Sequence, residues 1–275
     1  MIREMCSELW RYRHLLYALT WRDVRVRYAQ SILGIAWAMF IPLAMMAVFT
    51  IIFTLFMPIP REKTGGLPYA IFAYVGLLPW TFFSSATKVA ANSLVANRNL
   101  VTKVYFPREV FPLSSVLASL VDFAVGAVVL AGLLVVFRTG VHPTAFLLPL
   151  VILVEVLFCS GVGFFLSMGN LFYRDVRMMY EVIVMLWMFG TNVIYPLETT
   201  NRTLTTLMNL NPMTPIISAY RSLLFHGTHL PDGRLVSVPP LDLGAFGYAT
   251  AVSMVLFAAG WIVFHRSEFV FAERI

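Results

Sequence analysis

The first long run without a charged residue covers 32–57, and it follows directly on a basic stretch, Trp21-Arg-Asp-Val-Arg-Val-Arg-Tyr28. A hydrocarbon core about 30 Å thick takes roughly 20 apolar residues at helical rise, so this run can cross a membrane with some tilt. An arginine at the centre of an inserted helix costs about 2.5–3.5 kcal/mol, which keeps Arg22, Arg25 and Arg27 at one interface. Pro42 removes a backbone donor inside the run and predicts a kink that neighbouring helices must cover.

The same pattern recurs. Runs at 69–89, 110–137, 144–168, 178–195 and 244–264 are apolar over about a membrane's thickness, and polar stretches separate them. Those stretches include Arg61, Glu62 and Lys63, the turn at 140–143 and Tyr173-Arg-Asp-Val-Arg177. Ahead of the first run, Leu9, Tyr12, Leu16 and Leu19 recur at helical spacing, with Arg11, Arg22 and Arg25 on the opposite side. This predicts a helix lying in the interface, with Trp10, Tyr17 and Trp21 at headgroup depth. Between 204 and 227 a helical apolar pattern is interrupted by Pro212 and Pro215, which predicts two short re-entrant helices, followed by a tight turn at 230–235.

The expected architecture is therefore an all-α integral membrane protein of six transmembrane helices in one domain, 1–275. Its segments are an interfacial helix (1–31), spans one to five (32–195), an extracytoplasmic region (196–243), span six (244–264) and a tail (265–275). Charge sets the orientation. With the amino terminus inside, the cytoplasmic pieces hold Arg3, Arg11, Arg13, Arg22, Arg25, Arg27, Arg98, Lys103, Arg108, Arg174, Arg177, Arg266 and Arg274. The outer pieces hold only Arg61, Lys63, Arg138, Arg202, Arg221 and Arg234, so both termini are expected in the cytoplasm.

Composition agrees. The chain is 59% hydrophobic and 12% charged, where globular proteins carry about 25% charged residues. A net charge of +6 would suggest nucleic acid in a soluble protein; here it fits cytoplasmic loops and anionic lipid. Cys6 and Cys159 do not make a disulfide framework. No short apolar core with a small-residue cleavage site opens the chain, so the first span is expected to do the targeting.

Chemistry is sparse. The sequence has no Gly-Lys pair and hence no phosphate-cradling loop of the Gly-x-x-x-x-Gly-Lys-Ser/Thr type. His226 and His229 have no carboxylate at ligand spacing, and no metal site is expected. Asp122 and Glu155 fall inside predicted spans, where a carboxyl serves either as a proton relay or as part of a structural pair. Trp37 and Phe40, Trp80, Phe82 and Phe83, and Trp187, Phe189 and Tyr195 offer stacking surfaces for sugar faces, or ordinary lipid-facing packing.

Several stretches together carry a resemblance. Arg22-Asp-Val-Arg-Val-Arg-Tyr-Ala-Gln-Ser-Ile-Leu-Gly-Ile-Ala-Trp37 with Pro42, Tyr105-Phe-Pro-Arg-Glu-Val-Phe-Pro112, Phe172-Tyr-Arg-Asp-Val176, Val193-Ile-Tyr-Pro196, and Asn211-Pro-Met-Thr-Pro215 with Ala219-Tyr-Arg221 occur in order. In this the chain resembles ABC-2 type permease subunits of the polysaccharide exporter family, over essentially its whole length.

The resemblance implies a homodimer bound to two copies of a separate ATPase subunit, which binds ATP and Mg. This chain would then be a transport subunit, with no catalytic residue and no cofactor of its own. A coupling helix is implied between spans two and three, involving Asn97, Arg98, Lys103, Tyr105 and Phe106, ended by Pro107, with Arg108 and Glu109 at the surface. Arg174 and Asp175 would complete the docking surface. Trp37, Phe40, Trp187, Phe189 and Tyr195 are implied as channel-lining residues. Arg22, Arg25 and Arg27 would meet a lipid carrier, and Asn211, Pro212, Pro215, Tyr220 and Arg221 would belong to an outer gate within 196–243. The implied substrate is a lipid-linked polysaccharide or polyol-phosphate polymer such as O-antigen, capsule or teichoic acid, and the implied site is a bacterial cytoplasmic (inner) membrane. Membrane lipids are expected partners and nucleic acid is not. Two alternatives stay open: an ABC-2 permease for a small lipid or drug, and an ion-coupled secondary transporter built on Asp122 and Glu155. A membrane transferase finds no catalytic cluster.

Overall fold

The computed structural model describes residues 2–29, 34–103, 106–197, 202–231 and 233–274. The join between the basic stretch and the first apolar run, Gln30 to Leu33, lies outside the described residues, as does Tyr105. The described chain is all-helical apart from turns and one isolated antiparallel bridge between His229 and Leu235.

Two helices, α1 (Ile2–Arg11) and α2 (Arg13–Tyr28), occupy the basic amino-terminal stretch. The expected single interfacial helix is thus broken at Tyr12. Next comes α3 (Ala36–Ile51), with Pro42 buried inside it, continued by a π-helical turn Ile52–Phe56. Then follow α4 (Tyr69–Ala96), the short α5 (Arg98–Lys103) and α6 (Val110–Val136). A 3-10 turn, Pro143–Leu147, leads into α7 (Leu148–Phe172). The rest is α8 (Asp175–Phe189), α9 (Arg202–Leu210), α10 (Met213–Phe225) and α11 (Leu243–Arg274).

Five helical stretches among the described residues are long and apolar enough to cross a membrane: Ala36–Phe56, Tyr69–Ala96, Val110–Val136, Pro143–Phe172 and Leu243–Glu268. The fifth expected span, 178–195, differs. Its helix stops at Phe189, so the 15 residues of α8 rise about 22 Å, short of a full hydrocarbon core. The remaining residues, Thr191 to Ile194, form a buried turn. Such irregular backbone survives at membrane depth only if protein satisfies its polar groups, and here the protein does so, as described below.

Helix α4 is the axis of the bundle and packs on α6, α7, α3, α10 and α8. Most of its residues are buried. Tyr74 donates to the Gly126 carbonyl of α6 at 3.0 Å, and Asn170 of α7 donates to the Ala91 carbonyl at 3.0 Å. Tyr180 of α8 donates to Thr87 at 2.7 Å.

The other extensive packing joins α7 and α11, where two glycines allow close approach. A Cβ on Gly161 would sit 2.7 Å from backbone atoms of Leu256 and Phe257, and one on Gly260 would sit 2.9 Å from the Gly161 carbonyl. Small residues at a membrane helix crossing serve this purpose. Gly161→Ala is therefore expected to destabilise the fold by about 1–3 kcal/mol, read as a lower melting temperature in detergent. Gly132→Ala, where nothing lies within 4 Å of the new Cβ, should leave that temperature unchanged.

Pro212 and Pro215 act differently from one another. The break between α9 and α10 falls at Asn211–Pro212, while Pro215 sits in the first turn of α10, where its missing donor is not needed. The two short helices expected in 204–227 are present, and α10 is buried over nearly its whole length.

Candidate functional site

Helix α2 lies against α6, so two of the three interfacial arginines turn inward. Arg22 pairs with Asp23 at 2.8 Å and donates to the Asn97 side-chain oxygen at 2.7 Å, at the end of α4. Asn97 in turn donates to the Ser93 carbonyl at 2.8 Å, and Ser114 of α6 donates to Asp23 at 3.3 Å. Arg27 forms an ion pair with Asp122 of α6 and lies 3.4 Å from the Ser119 hydroxyl. Tyr28 also donates to Asp122. Burial and the Asp122 carboxylate push the Tyr28 phenol well above its ordinary range, so it serves as a proton-bearing donor. Arg25 alone faces outward, its guanidinium 5.3 Å from the Trp21 ring centre.

These contacts frame two cavities in series. One, of about 680 Å³, has charged walls that include Arg22, Asp23, Arg177 and Glu181. The other, of about 650 Å³, has mostly apolar and aromatic walls that include Trp37, Trp80, Phe82, Phe123 and Met188. Arg27, Lys88 and Val89 line both, so the cavities meet there as one groove running from a charged mouth to an aromatic interior.

The expected channel residues are not brought together. Trp37 lines the aromatic cavity, and Phe40 packs edge-on against it at 5.7 Å but is itself 57% exposed. Trp187 is wedged between Phe83, 5.1 Å away, and Phe158. Phe189 is exposed, and the Tyr195 hydroxyl donates to the Phe189 carbonyl at the end of α8. The groove instead draws on Trp80, Phe82, Ser84, Ser85 and Phe123, of which only Trp80 and Phe82 stood out in the sequence as aromatics.

The coupling segment is only partly at the surface. Arg98 is exposed, as are Arg174 and Asp175. The side chain of Lys103 lies outside the described residues. Phe106 and Pro107 are buried, and Phe106 packs on Phe111 at 5.3 Å. The surface position expected for Arg108 and Glu109 needs correction. Glu109 is 2% exposed, and one carboxylate oxygen is 2.7 Å from His265 Nδ1 of α11. Arg108 donates to the backbone carbonyls of Glu268 and Val101 and lies 3.8 Å from the Glu268 carboxylate. Glu109, His265 and Glu268 bring ligand-type atoms within 4.8 Å of one another, a grouping that residues 156 positions apart do not announce. His265 meets one Glu109 oxygen and Arg108 lies beside Glu268, while the second Glu109 oxygen is buried without a hydrogen-bond partner among the described residues, so the group ties α6 to α11.

At the far end of the bundle two of the gate candidates, Asn211 and Arg221, meet the turn after α8, whereas Tyr220 turns to α7. Asn211 donates to the Thr191 hydroxyl at 2.7 Å and accepts from the Met213 amide, the first of α10, at 3.1 Å. Arg221 is 5% exposed and donates to the carbonyls of Asn192 and Val193, each at 2.7 Å, and of Phe72 at 3.3 Å. Its guanidinium also lies 3.8 Å from the Phe72 ring centre. Tyr69 donates to the Ile194 carbonyl at 2.6 Å. Together they supply the donors that the turn after α8 requires. Tyr220 donates to Glu155 of α7 at 2.7 Å. Asp122 and Glu155 are thus held by different partners.

A family description, ABC-2 type transporter, matches residues 14–225. The chain is 34% identical to the O-antigen export system permease protein RfbA of Myxococcus xanthus over the whole of both chains. It is 28% identical to the protein of the same name from Klebsiella pneumoniae over 94% of each. With the polysialic acid transport protein KpsM of Escherichia coli it shares 23% identity over 76% of this chain and 81% of that one.

Proposed function

The chain belongs to the ABC-2 type transporter family, and from that premise we propose that it is the membrane subunit of an ATP-driven exporter of a lipid-linked polysaccharide or polyol-phosphate polymer. It is a multi-pass permease subunit and not itself an ATPase. The observation that carries the substrate reading is the groove, whose mouth is charged and whose interior is aromatic. A charged head group suits the first part, and the apolar and aromatic walls of the second suit the hydrocarbon end of a lipid-linked substrate. The printed functions of the relatives, O-antigen export and polysialic acid transport, point the same way.

In this reading two copies associate along the outward faces of α3 and α8, where Trp37, Phe40 and Phe189 stand exposed, and line the path between them. The short α8 and the buried turn after it make the sixth crossing, with both termini on the cytoplasmic side of a bacterial inner membrane. Two copies of an ATPase subunit hold ATP and Mg and dock on α5 and the loop at Arg174 and Asp175. Asn211, Tyr220 and Arg221 hold the outer gate closed at rest. An ABC-2 permease for a small lipid or drug is the second reading, favoured by the apolar cavity of about 650 Å³.

The test is co-purification of the chain with its ATPase partner in lipid, with ATP turnover measured as lipid-linked polymer is added. Arg98→Glu and Arg174→Glu, both at exposed positions, should cut the polymer-stimulated turnover at least several-fold or release the partner. A complex stimulated by small lipids and indifferent to polymer would favour the second reading. A chain that purifies alone and moves polymer down an ion gradient would end both.

A further inference from the structure

The charges lining the two cavities sort into pairs with one left over. Arg22 is answered by Asp23 at 2.8 Å, Arg177 by Glu181 at 3.4 Å, and Arg27 by Asp122. Lys88 has no hydrogen bond or ion pair among the described residues, although it is half-buried and lines both cavities where they join. An ammonium drawn part-way out of water without a partner is costly, and at membrane depth such a group marks a site for an opposite charge.

The surroundings define what that charge belongs to. Lys88 lies eight residues before the end of α4, about 12 Å along the helix, so the groove carries an unpaired charge inside a candidate span. One turn below it on α4 are Ser84 and Ser85, and one turn above is Asn92, all lining the same groove. They supply hydroxyl and amide donors suited to phosphate oxygens. Past the serines the walls become Trp37, Ile41, Met45, Trp80 and Met188, which suit an apolar chain and not an inorganic ion. Beside Lys88, Arg27 is held by a carboxylate that a stronger anion could replace.

We propose that Lys88 is the head-group site of this groove and takes a phosphate or diphosphate ester of a long apolar chain. Asp122 acts as a stand-in anion that holds Arg27 until the head group arrives, when Arg27 becomes the second ligand. The inference deepens the exporter reading by naming the contact for the lipid end of the substrate. It is tested by binding alone, so its failure would leave the ATPase coupling on which that reading depends untouched.

The experiment uses the full chain in nanodiscs of phosphatidylcholine, with tryptophan fluorescence as the readout because Trp37 and Trp80 line the cavity. Farnesyl diphosphate is the probe, farnesol the chain-only arm and inorganic pyrophosphate the head-only arm. Farnesyl diphosphate should saturate, with each partial arm at least about tenfold weaker. Lys88→Met should weaken the diphosphate about tenfold while leaving farnesol unchanged, and Lys88→Arg should restore it. Asp122→Asn, which frees Arg27, should tighten binding. Phosphatidylglycerol in the nanodisc separates the two sources of this chemistry: competition with the probe assigns the site to bulk phospholipid, and its absence assigns it to a prenyl diphosphate. Equal affinity of wild type and Lys88→Met for the diphosphate, with both melting at the same temperature, would overturn the proposal, as would equal binding of farnesol and its diphosphate.

Discussion

Replacement of Arg221 by methionine is expected to cost the fold about 3–5 kcal/mol. The side chain closes a turn that has no secondary structure of its own. Its two hydrogen bonds of 2.7 Å to Asn192 and Val193, with the longer one to Phe72, satisfy carbonyls that no water reaches in a buried segment. Each buried acceptor left without a donor costs about 1–3 kcal/mol, and methionine abandons the Asn192 and Val193 carbonyls while keeping most of the volume. Lysine should fall between, because a point charge cannot reach three carbonyls arranged for a planar fork. Gly76 tests the same turn from the other side. A Cβ there would lie 2.3 Å from the Val193 carbonyl oxygen and 2.4 Å from the Arg221 guanidinium, so Gly76→Ala should push the turn outward and reproduce the defect with Arg221 intact. The readouts are melting temperature in detergent and protease cleavage between residues 190 and 212. A methionine variant that melts with the wild type and resists cleavage equally would show that the turn is held by something else.

Arg221 also shows where the sequence stops being informative. In a count of loop charges it is one more basic residue on the outer side, and although the apolar pattern around it predicts re-entrant helices, nothing near it in sequence supplies its partners. Its partners lie 28 or more positions away, on carbonyls that become available only because α8 ends early at Gly190. The apolar runs were legible because each satisfies its own backbone, so the stretches that became α3, α4, α6, α7 and α11 could be read without tertiary knowledge. The run at 178–195 was equally apolar and still failed to stay helical. Its last residues gain their bonds from Tyr69 and Arg221 instead of from the helix. The same limit applies to the candidate sites. Proximity in sequence made Arg108 and Glu109 look like a surface pair, whereas Glu109 turns to His265 and Arg108 to Glu268, both on the last helix. The aromatic residues of the first and fifth runs were recognisable as aromatics, but the groove selects Trp37 from them and takes its other rings from α2, α4 and α6.

The second large effect is expected at Glu155, and it separates transport mechanisms. This carboxyl is fully buried in α7, with one oxygen accepting from Tyr220 at 2.7 Å and the other without a hydrogen-bond partner among the described residues. Glu155→Lys places an ammonium where a tyrosine hydroxyl is the only polar group given to it, and it should lose about 3–5 kcal/mol and prevent accumulation of folded protein. Glu155→Gln keeps an acceptor for Tyr220 and nearly the same shape, so export should stay within about twofold of wild type. A proton relay requires the opposite result. There the amide, which cannot exchange a proton, would abolish transport while leaving the fold intact, and Asp122→Asn would do the same. Export of polymer from cells with the proton gradient collapsed and ATP maintained provides the independent arm. The present geometry gives Asp122 to Arg27 and Glu155 to Tyr220. Two carboxyls held in separate bonds brace different helix pairs, α2 with α6 and α7 with α10, and do not form the chain of exchangeable groups that a relay requires.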